Sequence, residues 1–84
     1  MTSSIEKISI QKALKRSNLV DHSEKGTSVL IKFVSKTGQQ DETEFDLYSD
    51  HKWAELEELW SSMYNEMGAE ENSILCIEDR GFLN

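Results

Sequence analysis

SVLIKFVSKTGQQDETEFDLY, residues 28 to 48, decides the fold. Its first part, SVLIKFVS, points Val29, Ile31 and Phe33 one way and Leu30, Lys32 and Val34 the other. Both faces are largely apolar, as in a strand with neighbours on either side. KTGQQ then turns the chain at Gly38. From Glu42 to Tyr48 the residues alternate strictly, with Thr43, Phe45 and Leu47 on one face and Glu42, Glu44, Asp46 and Tyr48 on the other. Such alternation directly after a glycine turn predicts the second strand of a hairpin, half buried. Its outer carboxylates are spaced ~6.6 Å apart, because a strand rises about 3.3 Å per residue.

Downstream, Trp53, Leu56, Trp60, Met63 and Met67 recur at steps of three and four, with Leu59 alongside. This spacing predicts a long amphipathic helix. Ser49 or Asp50 is placed to cap its start, and Gly68 suits the left-handed residue just past its end. Glu55, Glu58 and Glu66 lie away from the apolar stripe. SILCIE, residues 73–78, reads as a short last strand, and DRGFLN as a turn and tail. Upstream, residues 3–17 read as a helix. Ser3 and Glu6 have capping-box spacing, and Lys12, Lys15 and Arg16 fall in the last turns, where the helix dipole favours cations. A short strand over Ile8–Ile10 competes with that reading. DHSEKGT, residues 21–27, is a loop.

The order is helix, strand, strand, helix, strand. A strand–helix–strand crossover is right-handed and leaves its two strands parallel. The last strand then runs antiparallel to the first and, beside it, makes a three-stranded antiparallel sheet of order 2-1-3. The fold class expected is two-layer α+β, one domain over residues 1–84, with the sheet packed on the long helix. The N-terminal helix either covers the other face or leaves part of it open to a partner.

Composition narrows the function. The net charge is −7 and the pI about 4.7. Residues 7–36 hold seven of the nine Lys and Arg, whereas residues 41–80 hold thirteen of the sixteen acids with only Lys52 and Arg80 against them. Direct binding to nucleic acid or to an anionic membrane is opposed by that charge, and a basic protein surface is favoured. No apolar run approaches a membrane span, and MTSSIEKISI lacks the apolar centre of a secretion signal. A single cysteine, Cys76, permits no intrachain disulfide, so a reducing, cytoplasmic setting is expected.

Residues that carry chemistry are sparse. His22 lies in a polar loop and His51 at a helix start, neither with a second ligand at metal-binding spacing. Cys76, among Ile74, Leu75 and Ile77, reads as a buried hydrophobe. The four glycines are scattered and form no phosphate loop. The carboxylates lie in exposed runs, without the burial that separates the pKa values of a catalytic pair. No enzyme activity, cofactor or metal site is expected.

A short acidic α/β chain of this kind resembles the small inhibitor proteins that bacteriophages direct at host enzymes and defence systems, of which the anti-CRISPR proteins are the largest group. Over residues 29–67, VLIKFVS, KTG, DETEF and a helix ending LWSSMYNEM are similar to the layout of the phage inhibitors of bacterial dGTPase. That resemblance implies an interface at Tyr64 and the acidic outer residues.

The expected function is therefore a non-enzymatic protein that occludes a basic nucleic-acid- or nucleotide-handling protein. Glu42, Glu44, Asp46 and Tyr48 on the strand, with Glu55, Glu58 and Tyr64 on the helix, are the candidate partner-binding residues. An immunity protein or antitoxin against a basic nuclease would use the same physics. A homo-oligomeric module built on the Leu30, Lys32 and Val34 face is a third reading. Against all three stands the ordinary role of surface carboxylates, which keep a domain dispersed and its strand edges apart.

Overall fold

A computed structural model describes residues 6–83. The elements are α1 (Ile10–Arg16), β1 (Thr27–Ser35), β2 (Gln40–Leu47), α2 (Lys52–Met63) and β3 (Ala69–Phe82). The three strands form one sheet of order β2-β1-β3, antiparallel throughout, as the sequence predicts. β1 and β2 are joined as a hairpin. Ser35 N–H donates to Gln39 O at 2.8 Å, and Gly38 takes the positive φ (86°) that the turn requires.

Register follows the hydrophobic pattern. Val29 lies opposite Phe45, Ile31 opposite Thr43 and Ile77, and Phe33 opposite Ile74. All of these except Thr43 form one buried cluster with Leu56 and Trp60 of α2 and Ile10, Ala13 and Leu14 of α1. The Phe33 and Trp60 rings meet edge to face with centroids 5.6 Å apart, and the Trp60 indole N–H donates to Glu71 O at 2.9 Å. Fully burying an aliphatic or aromatic side chain contributes about 1.5–3 kcal/mol, so this cluster is the main source of stability.

Three expectations are corrected. In place of a long amphipathic helix, α2 has 12 residues and reaches the sheet through Leu56 and Trp60. Residues 64–68 are turns rather than helix. Ala69 N–H bonds to Tyr64 O and Gly68 N–H to Asn65 O, and Gly68 takes φ 74°. That Schellman closure stops the chain where Gly68 predicts, one turn after the regular helix has ended. Second, the N-terminal helix spans Ile10–Arg16, capped by Ser9, whose hydroxyl accepts from Lys12 N–H at 3.2 Å. Ile8 makes an antiparallel bridge to Ile74, so the competing strand reading holds at that residue. Ser3 of the expected capping box lies outside the described residues. Third, β3 is no short strand with a tail: it runs 14 residues, Ala69–Phe82. Its register shifts let it follow β1 along its whole length.

Both helices contribute to the same buried cluster, and Leu30 and Val34 do not belong to it. The helices therefore share one side of the sheet, leaving the other uncovered by either.

The start of α2 is capped from a distance. Contrary to expectation, neither Ser49 nor Asp50 caps it; instead Asp21, in the loop before β1, accepts from Lys52 N–H through its backbone carbonyl (2.8 Å) and from Trp53 N–H through Oδ1 (2.9 Å). The Trp53 indole N–H donates to Leu19 O at 2.9 Å. Between these contacts the Lys52 side chain is wholly buried, its Nζ donating to Ser23 O at 2.9 Å and to Ser49 O. Replacing Lys52 by Met keeps the volume and leaves both carbonyls without a donor. Since an unsatisfied buried polar group costs about 1–3 kcal/mol, Lys52→Met is expected to lower unfolding stability by about 2–4 kcal/mol in urea denaturation. Wild-type stability for this variant would show that the ammonium holds nothing together.

Candidate functional site

The uncovered sheet face is built by alternation. β1 presents Ser28, Leu30, Lys32 and Val34 there, flanked in β2 by Asp46, Glu44, Glu42 and Gln40. On the β3 side Glu78 lies opposite Leu30 and Cys76 opposite Lys32. The register shift at Leu75 adds a residue to β3, so Ile74 and Ile77 both turn inward and Cys76 turns out. Leu75, Lys32, Gln40, Asp41 and Glu42 line a shallow concavity on this face.

Glu42, Glu44 and Asp46 are exposed, and none of them enters an ion pair among the described residues. Lys32, the cation at the centre of the face, is engaged elsewhere: its Nζ lies 3.5 Å from Glu78. Tyr48 follows β2 with 67% of its surface exposed. Its ring and Leu83 close over Gly26, where an added Cβ would meet Leu83 Cδ1 at 3.1 Å and Tyr48 Cδ1 at 3.3 Å. Tyr48 thereby extends the acidic row with an aromatic group held from below.

The other expected residues lie elsewhere. Glu55 accepts from Ser49 N–H through Oε1 (2.9 Å) and helps fix the approach to α2. Glu58 is exposed on the helix, two positions from the buried Leu56, so helix and strand carboxylates belong to different layers. Tyr64 is half-buried, packs against the core and lies 6.1 Å from the Trp60 ring. The expectation of a buried Cys76 is overturned: its thiol is exposed. At the far end of the charge scale, Arg16 bonds Glu6 at 2.6 Å and holds that carboxyl below its ordinary range, with Lys12 adding to the effect. The contribution of this pair is present at neutral pH and is lost as pH falls through the lowered value.

A second grouping was invisible in the sequence. His22 and His51 form an antiparallel bridge, with rings edge to face and centroids 5.0 Å apart. His22 Nε2 lies 3.6 Å from Asp21 Oδ2. One ligand atom from each of Asp21, His22 and His51 lies within 4.8 Å of the others. Among the described residues, these are the ones placed close enough together to hold a metal ion. The sequence isolates them because His22 and His51 are far apart along the chain and meet through the contacts of Asp21 and Lys52.

No protein-family model, no curated protein and no solved structure matches this chain.

Exposure of Cys76 has a direct chemical consequence. The native protein is expected to react with a thiol reagent such as DTNB at a full equivalent of its single cysteine without denaturant. Labelling that appears only in guanidinium would place Cys76 beneath other atoms and remove it from the face described.

Proposed function

We propose that this chain is a non-enzymatic binding protein that occupies the basic surface of a nucleic-acid- or nucleotide-handling protein. The observation that carries the reading is the row of Glu42, Glu44 and Asp46, free of ion pairs among the described residues, on a sheet face that neither helix covers. The row flanks a low apolar seam of Leu30, Val34 and Leu75 and ends at the exposed Tyr48. Carboxylates of one sign accelerate encounter with a basic surface, and a part-exposed aromatic ring is a common interface anchor. Inhibition would follow from occlusion.

A second copy of the chain is a poorer fit to this face. Isologous pairing would bring two copies of one acidic face together in a molecule of net charge −7, and like charges near an interface cost affinity.

The test is capture from bacterial lysate with wild type and with the triple variant Glu42→Lys, Glu44→Lys, Asp46→Lys, at low and high salt. A basic nucleic-acid- or nucleotide-binding protein is expected on the wild type at low salt. Its affinity should fall about tenfold or more in the variant and in high salt, because both remove the electrostatic attraction. Unchanged far-UV circular dichroism would show that the variant is folded. Equal capture by the folded variant would overturn the proposal.

A further inference from the structure

We propose that Asp21, His22 and His51 form a binding site for a divalent transition-metal ion of the Zn2+ class, with the fourth coordination position open. Two imidazoles and one carboxylate are a donor set that Zn2+ accepts, and three protein ligands with one open position is an established coordination pattern for that ion. The ligand atoms lie within 4.8 Å of one another, whereas tetrahedral Zn2+ with bonds near 2.0 Å sets its ligands about 3.3 Å apart. The residual closure is small. His22 and His51 are both exposed, so their rings are free to turn toward a common point.

The backbone beneath the site is already in place. The His22–His51 bridge, the Lys52 N–H bond to Asp21 O and the Lys52 Nζ bond to Ser23 O fix both segments. Ordering the backbone that carries these ligands is part of folding, so metal binding bears only the cost of fixing the two exposed imidazoles. The carboxylate is aimed as well. Asp21 Oδ1 accepts from Trp53 N–H at 2.9 Å, which leaves Oδ2 on the side of His22. An outer hydrogen bond of this kind commonly orients a metal ligand.

Electrostatics is mixed and on balance permissive. The positive end of α2 and the buried Lys52 ammonium oppose a cation. Lys52, however, is turned toward the carbonyls of Ser23 and Ser49. Glu24 and Asp50 line the same shallow concavity as the two histidines, and Asp21 adds a third carboxylate. The open position faces solvent, so a bound ion would clip the loop to the helix start and present a vacant site to water or to a donor from another molecule. This inference is independent of the acidic sheet face, which belongs to other residues.

Titration of the full chain with Zn2+ by calorimetry, and with Co2+ by visible absorption, tests it. A single Zn2+ per chain is expected, with Co2+ giving the intense visible bands of a tetrahedral site. Affinity should fall about tenfold or more in each of His22→Ala, His51→Ala and Asp21→Asn. The Asn retains an acceptor for Trp53 N–H and so keeps the helix cap. Wild-type affinity is expected in Cys76→Ser and in the triple lysine variant of Glu42, Glu44 and Asp46. Zn2+ in large excess over its dissociation constant should raise the melting temperature of the wild type and leave that of the double variant His22→Ala, His51→Ala unchanged. Absence of saturable binding, binding that survives loss of both histidines, or binding abolished in Cys76→Ser would each overturn the proposal.

Discussion

The arrangement turns on the buried ammonium of Lys52. A charged group with no exposed surface must find acceptors, and here they come from Ser23, in the loop before β1, and Ser49, just before α2. The same junction satisfies the first free N–H groups of α2 through Asp21 and the Trp53 indole through Leu19. Four polar demands are met by one crossing of two segments. The crossing anchors the chain that follows α1 to the start of α2, which keeps both helices on one side of the sheet. The other side is exposed as a consequence.

That exposure explains the two-faced composition of β1. A central strand in a two-layer domain needs only one apolar face, and Val29, Ile31 and Phe33 supply it. Leu30 and Val34 face away from the helices yet retain only 9% of their surface. In the register Leu30 lies between Glu44 and Glu78, Val34 lies opposite Gln40, and Lys32 stands between the two in β1; long side chains of this kind can lie along apolar surface while their polar ends stay in water. The carboxylates Glu42, Glu44 and Asp46 also protect β2, an edge strand, from pairing with another sheet. The acidic row thus has a structural use whether or not a partner binds there, and the charge-reversed variant matters because it tests binding separately from folding.

What was legible in the sequence depended on unbroken periodicity. The alternation of β2 let the buried faces of Phe45 and Leu47 and the existence of both strands be read directly, although β2 begins at Gln40 and ends at Leu47 rather than running from Glu42 to Tyr48. Gly68 marked a helix-type ending because only a positive φ closes that turn cheaply. β3 was misjudged because extra residues interrupt its alternation. Strict alternation through ILCI would put Ile74 and Cys76 on one face and Leu75 and Ile77 on the other. The shift at Leu75 instead buries both isoleucines and exposes the thiol. Asp21 and Lys52 gave no signal at all, since a remote cap and a buried ammonium are defined by tertiary neighbours. The histidine pair was hidden for the same reason.

An acidic strand differs physically from an acidic tail of equal charge. In a tail, each carboxylate must be ordered when a partner binds, and that cost reduces affinity and blurs geometry. Here Phe45 and Leu47 are locked in the core, and β2 is hydrogen-bonded to β1 along its length. Glu42, Glu44 and Asp46 are therefore presented at the ~6.6 Å repeat of a strand, with little backbone freedom left to lose. If the row binds a basic surface as proposed, its fixed pitch would discriminate by the spacing of the partner's cations, which net charge alone does not. On the β3 side Glu78 is paired with Lys32 at 3.5 Å and Arg80 at 3.9 Å, whereas Glu42, Glu44 and Asp46 of β2 enter no ion pair among the described residues. On the proposed reading, the recognition surface would reduce to one strand and the tyrosine that follows it, a linear feature that fits a groove better than a flat face.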